Sequence, residues 1–314
     1  MGGTPMHAAV VRSFDHSPSY EELADPVAAE GQVVLKVVAA GLHPAVRAGA
    51  GAPATGRPRP PFIPGFDGVG RLPCGSRVFF AGLRHPYGSM AERAVVAERD
   101  CIPIPDDVDD VTVAATVNPS MSAWVAMRGK AGLEAGESVL VLGATGNAGR
   151  MAVQIARMLG AGRVVAAGRN RAMLDRLLEV GADDVVPLDG DDETVGKEMA
   201  ANAAGVDVVL DYLSGRPAEI ALHALAGGRR LRWVHVGSGG PVAADAGARK
   251  SRVEISQVDP ESLPEAERTA ELTSLINRMP SADLDVHAVS IPLHAVGSAW
   301  KADATTGVRI VLVP

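Results

Sequence analysis

Cysteine is scarce in this chain: Cys74 and Cys101 are the two in 314 residues. Two are too few for a disulfide framework or a four-cysteine structural zinc site, so they read as free thiols. Positive charge is short too. Lys and Arg number 30 against 37 Asp and Glu, the net charge is -7, the pI is near 5.6, and no long basic run interrupts that balance. Nucleic-acid affinity comes mostly from basic residues neutralising phosphates, so the balance argues against a nucleic-acid partner. Nowhere do the roughly eighteen uninterrupted apolar residues of a membrane span occur. The opening "MGGTPMHAAVVRSFD" has no basic segment leading into a long apolar one, so no secretory signal is read there and the expected compartment is the cytoplasm.

What is present suits a two-domain globular chain, with 47% apolar and 21% charged residues. Residues 1 to about 120 are rich in Pro and Gly and carry the β-like runs "HAAVVRS", "GQVVLKVVAA", "SRVFFAG" and "AERAVVAE", which suggest a barrel-like β domain. The stretch "AGAGAPATGRPRPPFIPG" reads as a long surface loop. From about residue 136 the rhythm becomes strand, helix, strand, helix. "SVLVLG", "RVVAAG", "DVVPL", "VDVVLDYL", "RLRWVHVG" and "RVEISQVD" are candidate strands of a doubly wound parallel sheet, with "NAGRMAVQIARMLG", "RAMLDRLLEVG", "DETVGKEMAANAA" and "AEIALHALAGG" as helices between them. In the first helix Ala148, Met151, Ala152, Ile155 and Leu159 fall on one stripe, and Gly160 is a plausible stop. The final strand, "VRIVLVP", is expected to return to the first domain.

The turn "GATGNAG" carries the chemistry. Gly143, Gly146 and Gly149, with Ala144, Thr145, Asn147 and Ala148 between them, sit where a strand gives way to a helix. A backbone without side chains approaches a pyrophosphate there, and the helix N-terminus supplies unpaired N–H donors. The bland alternative is a tight turn serving only helix packing. Enzymes that prefer NADH usually place an acidic residue at the end of the second strand, about 20 residues past the glycines, to hold the ribose 2'-hydroxyl. This chain has Gly168, Arg169, Asn170 and Arg171 instead. Arginine matches a 2'-phosphate, so the expected cofactor is NADPH, with solvated helix-start arginines as the alternative. Tyr212, following Asp211 at the end of the fourth strand, is expected to face the crevice where such sheets bind ligands, although for Asp211 itself a capping role is the simpler reading. Gly237 and Ser238 close the fifth strand and are expected at the nicotinamide ribose or carboxamide.

The combination of "AGLHP", "PFIPGFDGVGRL", "NPSMSAW", "GATGNAG", "GADDVV", "VVLDYLSG" and "TTGVRIVLVP", in this order, resembles the zinc-independent quinone oxidoreductase branch of the medium-chain dehydrogenase/reductase superfamily. The resemblance implies a GroES-like β-barrel catalytic domain from 1–120 and 285–314, a Rossmann domain over 121–284, and a cofactor in the cleft between. It also implies a homodimer, for which "SRVEISQVD" is the candidate edge strand. Zinc-dependent relatives carry Gly-His-Glu where this chain has Gly65, Phe66 and Asp67, and a cysteine ligand where it has His43, so no metal site is expected.

The branch usually has an asparagine at the position of His43. This histidine either orients nicotinamide or substrate and donates a proton, or is a structural residue satisfied by backbone. The resemblance places Asn118 beside the nicotinamide, with a helix cap as the equal alternative, and makes Arg309 the C-terminal arginine that reaches the cofactor phosphates. Tyr87 is a second candidate proton donor. The implied reaction is hydride transfer from NADPH to a quinone or electron-poor enone. A biosynthetic enoyl or ketone reductase, and a non-catalytic NADPH-binding crystallin-like or regulatory protein, are the alternatives, and the substrate in each case is a small molecule.

Overall fold

The computed structural model describes residues 5–47, 59–227, 230–237, 253–259, 262–282, 284–302 and 308–314. The chain forms two compact units, Met1–Asn118 with Leu272–Pro314, and Pro119–Glu271. They differ from the expected boundaries mainly over 272–284, which groups with the chain ends.

In the first unit β1 (Met6–Val10) and β2 (Ser19–Leu23) make an antiparallel hairpin. Strand β3 (Gln32–Gly41) leads to a short helix α1 (Pro44–Arg47), and is followed by β4 (Gly68–Arg71), β5 (Arg77–Phe80), β6 (Arg93–Ala97) and β7 (Cys101–Pro103). The four runs read as strands overlap β1, β3, β5 and β6, with β1 and β3 each extending one residue beyond its run. β2, β4 and β7 are too short or too polar to stand out by alternation. Of the expected long loop, 48–58 lies outside the described residues.

Helix α2 (Asp110–Val125) crosses from the first unit to the second. The second unit then alternates β8 (Ser138–Leu142), α3 (Asn147–Met158), β9 (Arg163–Gly168), α4 (Arg171–Glu179), β10 (Asp184–Pro187), α5 (Asp192–Asn202), β11 (Val208–Asp211), α6 (Gly215–Leu225), β12 (Leu231–Val236) and β13 (Val253–Val258). Among the described residues these six strands pair in parallel in the order β10-β9-β8-β11-β12-β13. The order reverses between β8 and β11, so a crevice opens at the carboxyl ends of those strands. Leu140, Val165, Val209 and Trp233 are fully buried in the core of this sheet. Helix α3 departs from the one-stripe expectation: Gly149 to Ala156 are all buried, Arg150 and Gln154 included, so the helix is enclosed beyond its apolar stripe. Gly160 ends it with φ +90°, a conformation that favours glycine.

Within α7 (Glu265–Arg278) the chain returns to the first unit, which continues through β14 (Ala288–Pro292), α8 (Val296–Lys301) and β15 (Arg309–Val313). β15 pairs antiparallel with β3, Val311 opposite Gly41 and Leu312 opposite Ala40, so the last strand does return to the first sheet. β4 lies on β3 as well, with Gly68 opposite Ala40. Leu35, Val37, Phe80 and Leu312 anchor the core beneath these strands. No described helix is long and apolar enough to cross a membrane.

Candidate functional site

In the second unit, β8 runs directly into the glycine-rich turn. Gly143 has φ +90°, and the N–H groups of Gly143 and Ala144 both donate to the Ala167 carbonyl at 2.9 Å, which ties the turn to β9. A Cβ on Gly149 would lie 2.2 Å from the Gly143 carbonyl oxygen, so only glycine lets α3 start this close to the strand. A Cβ on Gly168 would lie 2.5 Å from Thr145 Cγ2, so the end of β9 is held equally close to the turn. Gly146 precedes α3 and gives it no side-chain cap. The first N–H groups of the helix, at Asn147, Ala148 and Gly149, therefore have no N-cap side-chain acceptor, an arrangement that suits a phosphate.

The cations beyond β9 are not equivalent. Arg169 is exposed and makes no hydrogen bond or ion pair among the described residues. Asn170 caps α4, its side chain accepting from the Met173 N–H at 3.1 Å. Arg171 grips Asp189 through Nε and a terminal nitrogen, both at 2.8 Å. The two arginines read together in the sequence are thus one unpaired guanidinium and one already neutralised.

Tyr212 is held at the end of β11, its hydroxyl 3.3 Å from Ser122 Oγ. Ser122 reaches the Pro119 carbonyl at 3.3 Å, so the arrangement that satisfies both has Tyr212 donating to Ser122. Burial pushes the Tyr212 phenol well above its usual range. Asp211 is fully buried and accepts from the Leu213 and Ser214 N–H groups at 2.9 Å, which closes the turn ahead of α6 rather than capping the helix itself. Gly237 has φ +121° and follows β12. Ser238 lies outside the described residues.

In the first unit the structure assembles four residues from four distant parts of the sequence. Continuing the antiparallel register of β3 and β15 by two residues sets His43 opposite Arg309, and β4 places Asp67 on the other side of β3. His43 Nε2 lies 3.0 and 3.1 Å from the two Asp67 oxygens, and both residues are buried. Arg309 reaches His43 Nδ1 at 3.0 Å and the Ala115 carbonyl at 3.2 Å. A guanidinium only donates, so Nδ1 holds its lone pair and the ring proton sits on Nε2, facing Asp67. Asn118 donates from Nδ2 to Asp67 Oδ2 at 2.7 Å. Asn118 sits well inside α2 and so is not a helix cap. Its amide orientation is fixed, because a carboxylate accepts only from the NH2 end, and Oδ1 is left as an acceptor.

Sequence reasoning named His43, Asn118 and Arg309 separately and gave Asp67 no role. The available signal was a carboxylate amid the apolar run "PFIPGFDGVG", where it requires a partner. Arg309, expected at the cofactor phosphates, is placed against His43. Tyr87 stands apart on the surface, 41% exposed. Among the described residues no three of His, Cys, Asp or Glu come together to ligate a metal.

The family model described as zinc-binding dehydrogenase matches residues 148–252. A quinone oxidoreductase of Lama guanicoe is 31% identical over 70% of this chain and 68% of its own. The chain belongs to the quinone oxidoreductase-like branch of the medium-chain dehydrogenase/reductase superfamily. A probable NADPH-dependent quinone reductase of Emericella nidulans is 28% identical over 98% of this chain and 100% of its own. The quinone oxidoreductase of Thermus thermophilus, solved also with NADPH, superimposes with a TM-score of 0.76 at 28% identity over 98% of this chain and 100% of that one. In this branch the parallel sheet is the Rossmann domain and the antiparallel sheet the GroES-like domain.

Proposed function

We propose that this enzyme is an NADPH-dependent oxidoreductase that reduces a quinone or an electron-poor enone. The observation that carries the reading is the uncapped glycine turn of α3 combined with an unpaired Arg169 at the end of β9, where an NADH enzyme would place an acid. The relatives named for NADPH and quinones support the same choice. The first N–H groups of α3, at Asn147, Ala148 and Gly149, hold the pyrophosphate, and Arg169 holds the 2'-phosphate. Tyr212 and Gly237 border the carboxyl ends of β11 and β12. When bound, NADPH supplies the hydride from its nicotinamide C4.

The four-residue set acts by position. His43 is engaged at both nitrogens, so it keeps Asp67 and Arg309 in register and does not deliver a proton. Asn118 offers Oδ1 to a donor, a hydroxyl or an amide N–H, and not to a quinone carbonyl. For a quinone, water supplies the protons; for an enone, Tyr87 is the remaining candidate acid.

Zinc does not fit the residues present, since His43 has no free nitrogen and no cluster of three ligands occurs among the described residues. Metal analysis finding about one zinc per chain, with activity lost on its removal, contradicts this. The two cysteines are free, which suits the reducing cytoplasm. β13 lies at the end of the sheet order, with Val253 and Ile255 half-buried, and is the surface proposed for a homodimer. Light scattering at micromolar concentration separates the dimer from a monomer. Function is tested by following NADPH oxidation against a panel of quinones, enones, ketones and aldehydes. Turnover confined to ketones or aldehydes overturns the reading.

A further inference from the structure

Arg171 opens α4 only two residues past Arg169, yet its charge is already claimed by Asp189, from the segment following β10. The grip is two-pronged and uses Nε and one terminal nitrogen, leaving the other terminal nitrogen unbonded to Asp189. The pair is largely exposed, with side-chain accessibilities of 66% and 38%. Such surface pairs hold weakly, and a phosphate binds a guanidinium more strongly than a solvated carboxylate does.

We propose that Asp189 is a specificity-determining residue that weakens NADPH binding by neutralising Arg171 and setting a carboxylate close to the place of the 2'-phosphate. The inference rests on the NADPH reading above. With Asp189 present, the charge offered to the phosphate is that of Arg169 together with a neutral pair. Without it, the charge is that of two arginines. Cofactor lacking the 2'-phosphate does not sense the difference, because the turn at Gly143–Gly149 that holds the pyrophosphate is untouched. The Arg171–Asp189 pair therefore acts as a unit. Removing only the anion strengthens NADPH binding, removing only the cation uncovers the anion and weakens it, and removing both returns the site close to its starting charge.

The magnitude follows from Coulomb attraction at the surface. One added charge near a group carrying roughly two negative charges is worth on the order of a few-fold in affinity at high dielectric. Added salt shrinks the effect.

The test is a fluorescence titration of NADPH and NADH against the wild type, Asp189→Asn, Arg171→Ala and the Arg171→Ala/Asp189→Ala double variant at low salt. The expected result is NADPH binding about threefold to tenfold tighter in Asp189→Asn, weaker by a similar factor in Arg171→Ala, and within about twofold of wild type in the double variant, with NADH unchanged throughout. Unchanged or weaker NADPH binding in Asp189→Asn overturns the proposal, as does a double variant as weak as Arg171→Ala alone, which makes Arg171 itself the phosphate ligand. Failure of the underlying reading looks different: a wild type that binds NADH as tightly as NADPH shows no 2'-phosphate site to modulate, and the inference falls with it.

Discussion

Arg309 donates to Nδ1 of His43 at 3.0 Å, and that contact decides what the histidine does. With one nitrogen accepting from a permanent cation and the other facing Asp67, the ring is a connector between the half-buried Arg309 and the buried Asp67. Taking it away removes one hydrogen-bond partner from each of them, a loss of about 1.5 to 3 kcal/mol per bond to a charged group. His43→Ala should therefore lower the melting temperature sharply. His43→Asn, which can still present a donor and an acceptor, should lose less stability and keep more activity. A His43→Ala protein that melts with the wild type contradicts the assignment.

The sheet that carries the cofactor turn was legible because both of its signals are local. After their first residues, Ser138 and Arg163, the runs "SVLVLG" and "RVVAAG" are apolar without interruption, as a strand buried on both faces requires, and the glycines fall where backbone must approach backbone. Of the Arg309–His43–Asp67–Asn118 set, three were legible only as separate residues and Asp67 not at all. Its members meet through the pairing of β15 and β4 on β3, and register between distant strands leaves no mark on the spacing of a sequence. The pairing of Arg171 was hidden for a similar reason: nothing near it announces Asp189.

On the proposed reading, Arg169 carries the 2'-phosphate selectivity. Arg169→Ala removes charge-assisted hydrogen bonds worth roughly 1.5 to 3 kcal/mol, so NADPH should bind about ten- to a hundredfold more weakly. NADH should bind as before. Equal losses for both cofactors in fluorescence titration would locate the arginine away from the phosphate.

Ser214, just before α6, has φ 56° and ψ -175°, a conformation essentially restricted to glycine. The strain costs on the order of 1 to 3 kcal/mol, against about 1 kcal/mol returned by the contact of its hydroxyl with His235 at 3.3 Å. Ser214→Gly should leave stability unchanged or raise it by about 1 to 2 kcal/mol in chemical denaturation, the difference of those two estimates. A clear loss would mean that the hydroxyl contact outweighs the strain.

The two thiols should separate by reactivity. Cys74 is exposed, and its contact with Ser76 lowers its pKa. Cys101 is pushed up to about 11 by burial and by the charges of Asp100 and Glu98. The thiolate is the nucleophile, so at pH 8 one thiol per chain should react quickly with a disulfide reagent and the second only slowly or after unfolding. As the pH rises toward 11 the slow thiol should accelerate. Two equally fast thiols at pH 8 contradict this environment for Cys101.

The most direct test of the account is the ratio of kcat/KM for NADPH to that for NADH, measured on the wild type with one quinone as acceptor by following loss of the reduced nicotinamide absorbance. An uncapped glycine turn with an unpaired Arg169 beyond it predicts quinone turnover with NADPH preferred by about tenfold or more, the factor that one charge-assisted contact supplies. No turnover with a quinone, or turnover in which NADH serves as well as NADPH, contradicts it.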